Sequence, residues 1–296
     1  MIMIWIAVCV AAGVAVLFAA TAGRVRAGWR MVGELSHPRR AASLDDVLDC
    51  ETQKFSFSSA GSTRLSAIVY QPQGAPRGTI LAFHYLGGSK TSIYPYVKNL
   101  IDHGYRVASF DYVNHGESES RRSSRYTFDA DLKNFMAQLR MRGIEGPYGA
   151  IGFSMGASLA LTAADVYPQV RAVVADSGPL LYSRDYFVHL LDHKGQRDHI
   201  IRAVFLASYL FIMGFLKRDR QMARRLIRLR GKPVLLIHGR RDSTIPVRNA
   251  YRALSLCRSS HSRLIEVERG HHMTNRVVLG KQYDQYILEF FEKWIP

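Results

Sequence analysis

The feature that most constrains the fold is an alternation of short apolar runs with amphipathic stretches from about residue 50 to the C-terminus. Apolar runs bounded by Gly, Pro or Asp predict strands at residues 55–58, 65–70, 79–84, 106–111, 148–153, 170–176, 233–238 and 263–267. Amphipathic stretches predict helices between most of them, at residues 96–103, 129–141, 155–167, 248–257 and 282–294. The first two strands predict a hairpin that turns at Ala60-Gly61, and the others predict a mostly parallel sheet covered by helices on both faces.

The N-terminal segment has a different character. Residues 1–23 carry no charged side chain and would form a helix of about 34 Å, which is enough to cross a bilayer core of about 30 Å. Arg24, Arg26 and Arg30 follow at once. These observations predict a transmembrane anchor at 1–23, a basic connector at 24–49 and a folded domain at 50–296. The positive-inside rule then predicts a single-pass membrane protein with a cytoplasmic domain.

A cleaved signal peptide is the alternative for this segment, because Ala20-Thr21-Ala22 resembles a small-residue cleavage site. The run has no basic residues before it and is longer than the usual apolar region of a signal peptide, which favours the anchor.

The net charge of +16 indicates an anionic partner surface, either nucleic acid or phospholipid. No nucleic-acid recognition motif accompanies the charge, so we expect no nucleic acid. Three cysteines, Cys9, Cys50 and Cys257, are too few for a disulfide framework.

The segment at about 179–231 is too long for a simple crossover and predicts an inserted helical cap. Its residues 203–215 are almost wholly apolar, which predicts a buried cap helix or a lid that lines an acyl pocket. Residues 217–232 carry eight basic residues and one acidic residue, with apolar positions at helical spacing. This basic helix would suit an anionic lipid surface, or it would simply present a solvated face.

The motif with the clearest chemistry is Gly152-Phe153-Ser154-Met155-Gly156, which joins a predicted strand to a predicted helix. Such a turn lifts a serine hydroxyl above the sheet, and the glycines give the strained backbone room. A serine nucleophile needs a base and a group that orients the base. Asp242 and His271 follow later strands in the order Ser, Asp, His.

A metal site has weak support. His189 and His193 are four residues apart, with Asp192 and His199 nearby, but Leu190 stands where a zinc-protease helix has glutamate. The chain has no Gly-rich phosphate loop and no Cys-x-x-Cys motif. We therefore expect neither a metal nor a cofactor.

Five landmarks together resemble the α/β-hydrolase superfamily over most of the chain from about residue 50. They are His84-Tyr85-Leu86-Gly87-Gly88, the run at 111–118 (Asp-Tyr-Val-Asn-His-Gly-Glu-Ser), Gly-Phe-Ser-Met-Gly at 152–156, the run at 236–242 (Leu-Ile-His-Gly-Arg-Arg-Asp), and Gly270-His271. The resemblance implies an α/β-hydrolase fold with Ser154 as nucleophile, His271 as general base and then acid, and Asp242 as the orienting carboxylate. It also implies an oxyanion hole made by the backbone N–H groups of Met155 and Leu86.

Several alternatives remain open at these positions. His272 competes with His271 as the base, and Asp176 is an alternative acid at the end of another strand. We expect His84 and His115 to be structural, as hydrogen-bonding groups that fix loops near strand ends, and we expect His238 to end its strand in a similar role. Where this family usually has glycine after the first histidine, the chain has Tyr85, which would narrow the acyl pocket or alter the loop.

These features predict a membrane-anchored serine hydrolase that cleaves an ester or thioester through an acyl-enzyme. The anchor and the apolar cap favour a lipophilic acyl substrate or a lipid. A serine peptidase on the same fold and a catalytically silent scaffold that binds lipid or protein are the alternatives.

Overall fold

The computed structural model describes residues 2–59, 62–121, 127–212, 214–229 and 231–295. The predicted hairpin turn at Ala60-Gly61 lies outside these residues. Within α1 (Ile2–Ser36), the side chains of the residues up to 15 are also outside the description.

One eight-stranded sheet forms the centre of the molecule, in the strand order β1-β2-β4-β3-β5-β6-β7-β8. The β1–β2 and β2–β4 pairings are antiparallel, and the other pairings are parallel. The eight predicted strands are confirmed, with ends that differ by up to three residues. The strands are β1 (Thr52–Ser58), β2 (Arg64–Tyr70), β3 (Gly78–Phe83), β4 (Tyr105–Phe110), β5 (Tyr148–Phe153), β6 (Val170–Asp176), β7 (Val234–Gly239) and β8 (Arg263–Val267).

Helices cover both faces of the sheet, as expected for parallel strands that are apolar on both sides. One face packs against α2 (Tyr94–Asp102) and α10 (Lys281–Trp294) through an apolar cluster that includes Val97 and Phe291. The other face is covered by α3 (Phe128–Met141), α4 (Met155–Val166) and α8 (Arg248–Cys257). Strands β5 to β8 pair in parallel, so their carboxyl ends lie at the same edge of the sheet, and every residue of β5 and β7 is buried.

The segment between β6 and β7, where the sequence predicts a cap, is helical. It contains α5 (Ser183–His193), α6 (His199–Ala207), a π-helical segment (Ser208–Ile212) and α7 (Phe215–Arg228). Asp198 caps α6 by accepting the N–H groups of Ile200 and Ile201. The short helix α9 (Asn275–Leu279) follows β8 and precedes α10.

The N-terminal helix continues well past residue 23, where the sequence predicts the end of the anchor, because its second half packs against the cap. A Cβ on Gly28 would lie 2.8 Å from the Cβ of Val204, so the two helix backbones approach closely there. Arg24 Nε lies 2.8 Å from an oxygen of Asp198. Tyr209 donates a hydrogen bond of 3.0 Å to the carbonyl of Val32.

Among the residues that the structure describes, no single helix is long and apolar enough to cross a bilayer. A bent pair, His199–Phe211 with Phe215–Arg228, meets that test by length and composition alone.

Candidate active site

Ser154 lies at the sharp turn between β5 and α4. Its backbone has φ 51° and ψ −111°, a strained conformation for a residue with a side chain. A Cβ on Gly156 would lie 2.1 Å from the carbonyl oxygen of Phe83, and one on Gly152 would lie 2.1 Å from the carbonyl oxygen of Gly156. Both positions therefore require glycine, and the predicted serine turn is present with the backbone geometry that the motif needs.

The structure brings Ser154, His272 and Asp242 together. Ser154 Oγ lies 2.9 Å from His272 Nε2, and His272 Nδ1 lies 2.8 Å from Asp242 Oδ2. Because a carboxylate accepts hydrogen bonds only, Nδ1 carries the proton in this contact. The neutral ring then accepts the Ser154 hydroxyl proton at Nε2. This arrangement is the chain of contacts that activates a serine for attack.

The carboxylate of Asp242 is held in its charged form. Its Oδ1 accepts the backbone N–H groups of Thr244 and Ile245 at 2.8 Å each. On the other side, Nε2 of the buried His238 lies 3.4 Å from Oδ2 and 2.7 Å from the carbonyl oxygen of Ile245. Burial alone would raise the pKa of Asp242, but the hydrogen bonds from His238 and His272 outweigh it and lower the pKa from 3.8 to about 2.

The base position differs from the prediction, because the structure places His272 and not His271 against Ser154. His271 is exposed, and its backbone N–H donates to Thr274 Oγ1 at 2.8 Å. This tight turn after β8 directs consecutive side chains to opposite sides, so residue 271 faces solvent while residue 272 enters the site. The spacing Gly-His-His alone does not determine which histidine points inward, although Thr274 three residues after His271 is a signal for such a turn.

Asp176, the alternative acid, has other partners. It accepts hydrogen bonds from Tyr283 Oη at 2.5 Å, Asn275 Nδ2 at 2.6 Å and Ser177 Oγ at 2.8 Å. Burial raises the pKa of Asp176, and these three donors oppose the shift. Ser177 Oγ also accepts the N–H of Met273, the residue after His272, at 3.2 Å. Asp176 thus belongs to a buried network that holds the loop carrying His272.

The backbone N–H groups of Met155 and Leu86 are the two predicted oxyanion donors. Both residues line the same cavity as Ser154. Within the described part of the chain, neither N–H donates to a protein acceptor. The two N–H groups are thus available to a ligand that occupies this cavity.

The buried side chain of His84 holds the loop that carries Leu86 in place. The His84 ring stacks on Tyr112 with ring centres 3.9 Å apart. Its Nδ1 lies 2.8 Å from the carbonyl oxygen of Tyr85 and its Nε2 lies 3.3 Å from the N–H of Tyr112. Burial lowers the pKa of His84 well below its usual value, so the ring is neutral, with Nδ1 donating and Nε2 accepting. The structural role expected for His84 fits these contacts.

A cavity of 610 Å³ extends from Ser154 between α4 and the cap. This volume lies within the range of about 300–1,000 Å³ typical of small-molecule sites. Most of its wall is apolar, with Tyr85 and Leu86 at the reactive end. The further apolar and aromatic lining residues are Phe128, Ala130, Met155, Leu159, Leu180, Tyr186, Phe187, Tyr209, Phe215, Met222, Ile245 and Met273.

His189 and His193, the weak metal candidates, are both in α5. In the described ranges, no group of three or more His, Cys, Asp or Glu residues is arranged to hold a metal ion.

Comparison with known proteins agrees with this architecture. A protein-family model described as alpha/beta hydrolase fold matches residues 78–205. No curated protein matches the chain in sequence.

Among solved structures, an esterase from Pyrococcus furiosus is 21% identical with a TM-score of 0.70, covering 88% of this chain and 99% of its own. The esterase domain of a Rhodothermus marinus protein is 19% identical with a TM-score of 0.59, covering 83% and 100%. A thermostable carboxyl esterase from Bacillus coagulans is 14% identical with a TM-score of 0.61, covering 83% and 99%. The chain therefore has the α/β-hydrolase fold.

Proposed function

We propose that this protein is a serine hydrolase that cleaves an ester or thioester through an acyl-enzyme. The observation that carries the proposal is the continuous contact from Ser154 Oγ through the His272 ring to the Asp242 carboxylate. The solved esterases that share the fold support the same reaction class.

In the first half of the reaction, Ser154 Oγ attacks the carbonyl carbon of the substrate while its proton passes to His272 Nε2. Asp242 stabilises the imidazolium that forms, since its pKa of about 2 keeps it ionised. The carbonyl oxygen becomes negative and accepts the N–H groups of Met155 and Leu86. When the tetrahedral intermediate collapses, the bond to the leaving group breaks, and His272 gives its proton to the departing alcohol or thiol.

In the second half, water attacks the acyl-enzyme and transfers a proton to His272 Nε2. The second tetrahedral intermediate collapses, the bond to Ser154 Oγ breaks, and the proton returns to that oxygen as the acid leaves. Each cycle restores the starting protonation state, so hydrolysis requires no cofactor.

The character of the cavity favours an acyl ester over a peptide. Phe187, Tyr209 and Phe215 give the wall an aromatic and apolar surface. Such a wall suits an aliphatic chain, whereas an extended peptide needs main-chain partners along its length.

Labelling with a fluorophosphonate probe tests the proposal. The wild-type chain should be labelled and should hydrolyse p-nitrophenyl esters, and Ser154→Ala should lose both activities. Ser255→Ala, which changes an exposed serine on α8, is the matched control and should behave as wild type. A folded wild-type protein that neither reacts with the probe nor turns over esters would contradict the proposal and favour the silent scaffold.

We also propose that residues 1–23 anchor the protein in a membrane with the hydrolase domain in the cytoplasm. The support is the absence of charge in this segment and the arginines at positions 24, 26 and 30 that follow it. The exposed basic residues of α7, Lys217, Arg220 and Arg224, suit an anionic lipid headgroup layer. A reporter that is active only in the cytoplasm should be active when it is fused after Pro296. Activity of a fused reporter that works only outside the cytoplasm would refute the orientation.

A further inference from the structure

The cavity runs along one face of α4, starting at Ser154. Four residues of α4 line it, namely Met155, Ser158, Leu159 and Thr162. Their spacing places them along one face of the helix, so the cavity follows α4 away from Ser154. Seven helical steps separate Met155 from Thr162, which corresponds to a length of about 10 Å.

The wall opposite α4 is supplied by the cap. Phe187, Tyr209, Phe215 and Met222 line this side. Phe187 and Tyr209 are buried in the apolar cluster of the cap, Phe215 packs against that cluster, and Met222 is buried in the core cluster that includes α4. Two polar groups on the same wall, Asp219 and Ser183, bond each other at 2.5 and 2.9 Å. Because these two groups bond each other, the aromatic side chains supply the apolar contact that this wall offers to a ligand.

At the part of α4 farthest from Ser154, the cavity lining is polar and includes Thr162, Asp129 and Arg225 of α7. Arg225 donates to Thr162 Oγ1 at 2.8 Å and to Asp129 Oδ2 at 2.6 Å, and its Nε lies 3.6 Å from Asp165. Thr162 is buried, and only 16% of the Arg225 side chain is exposed. The guanidinium is neutralised by two carboxylates, so it does not attract an anion, and a methylene placed against it would desolvate a charged group.

We propose that this cavity binds a linear acyl chain of about eight carbons along α4, and that Thr162 and Arg225 form the stop that sets this length. An extended chain of single bonds advances about 1.2 Å per bond, since an extended residue covers about 3.5 Å over three bonds. A length of about 10 Å therefore accommodates about eight bonds. This assignment rests on the proposed esterase function for its reaction and on the cavity geometry for its length.

A series of p-nitrophenyl esters from acetate to laurate tests the assignment in the full-length protein. The value of kcat/KM should rise about fourfold for each added methylene up to about octanoate, and it should fall for decanoate and laurate. Arg225→Met should move the optimum to a longer chain by two or more carbons, because it replaces the charged stop with an apolar side chain. A smaller shift in the same direction is expected for Thr162→Val, which keeps the volume and serves if Arg225→Met fails to fold.

Arg228→Met is the matched control. Arg228 is in the same helix and also pairs with Asp165, at 2.5 Å, but it does not line the cavity. Its chain-length profile should equal that of wild type. A wild-type profile without a break near eight carbons, or the same profile for Arg225→Met and Arg228→Met, would overturn the assignment.

A binding experiment separates failure of this inference from failure of the proposed reaction. The affinity of Ser154→Ala for linear carboxylates of increasing length, measured by calorimetry, requires no turnover. It should increase to about eight carbons and then stop increasing, with a later break after Arg225→Met is added. An affinity that does not change with chain length would overturn the proposed acyl subsite, whether or not the wild-type protein hydrolyses esters.

Discussion

The carboxyl edge of the sheet and the cap hold their parts in place by different means. At the edge, backbone groups make the contacts. Gly156, in the turn after Ser154, packs closely against the carbonyl oxygen of Phe83 at the end of β3, and Asp242 accepts two backbone N–H groups. In the cap, side chains make the contacts, as in the cluster of Phe187, Phe205 and Tyr209. The edge therefore has little tolerance for substitution, while the cap can repack. In the proposed function, the edge carries the reaction and the cap selects the substrate.

The largest effect that would sharpen this comparison is expected at the two adjacent histidines. His272→Ala should lower kcat/KM by about 10⁴-fold or more, because Ser154 loses the group that takes its proton. His271→Ala, the matched control, should stay within about threefold of wild type, since that side chain is exposed. Steady-state ester hydrolysis by both folded variants measures the difference, and equal losses would contradict the observed placement of His272.

Asp242→Asn should lower kcat by about 10³- to 10⁴-fold, because the amide disturbs the tautomer and orientation of His272. It should also change how stability depends on pH. Asp242 has a folded pKa of about 2 against an ordinary value of 3.8, so its contribution is present above 3.8 and lost as the pH falls toward 2.

That contribution amounts to about 2 kcal/mol. The difference in unfolding free energy between wild type and Asp242→Asn should therefore narrow by about this amount between pH 6 and pH 2, as measured by urea denaturation. A difference that stays constant over this range would show that the carboxylate is not selectively stabilised in the fold.

A pair of glycine substitutions compares the two regions in stability alone. A Cβ on Gly156 would meet the backbone oxygen of Phe83 at 2.1 Å, so Gly156→Ala should destabilise the fold by more than about 3 kcal/mol. A Cβ on Gly28 would lie 2.8 Å from the Cβ of Val204 and 3.3 Å from the carbonyl oxygen of Ile201, so α1 and α6 would have to move slightly apart, and Gly28→Ala should lower stability by only about 1–2 kcal/mol. Urea midpoints measure both, and a larger loss at Gly28 would reverse the comparison.

The parts of the site that depend on local backbone geometry could be predicted from the sequence. The strand, the turn and the helix around Ser154 each leave a local pattern, and Asp242 follows its strand at a short spacing. The inward histidine could not be predicted, because the turn between His271 and Thr274 decides which side chain enters the site.

Contacts between segments that are distant in the chain could not be predicted from the sequence either. Nothing in the pattern of residues 24–49 indicates that α1 continues to Ser36 and that Gly28 packs on Val204. The pairing of Arg225 with Thr162 and Asp129 likewise joins three separate helices and depends on how the cap lies on α4. Such contacts arise from tertiary packing, which periodicity within one segment does not encode.

The near contact of Gly156 with the carbonyl oxygen of Phe83 has a consequence for the two free N–H groups. Met155 begins the helix that Gly156 continues, and Leu86 is three residues after Phe83, so the two dipoles are mounted on backbones that touch. A displacement of the turn before α4 would therefore also disturb the end of β3, which leads to Leu86. In the proposed reaction, an oxyanion bound by both N–H groups would therefore be stabilised by backbone that is already in place in the folded chain.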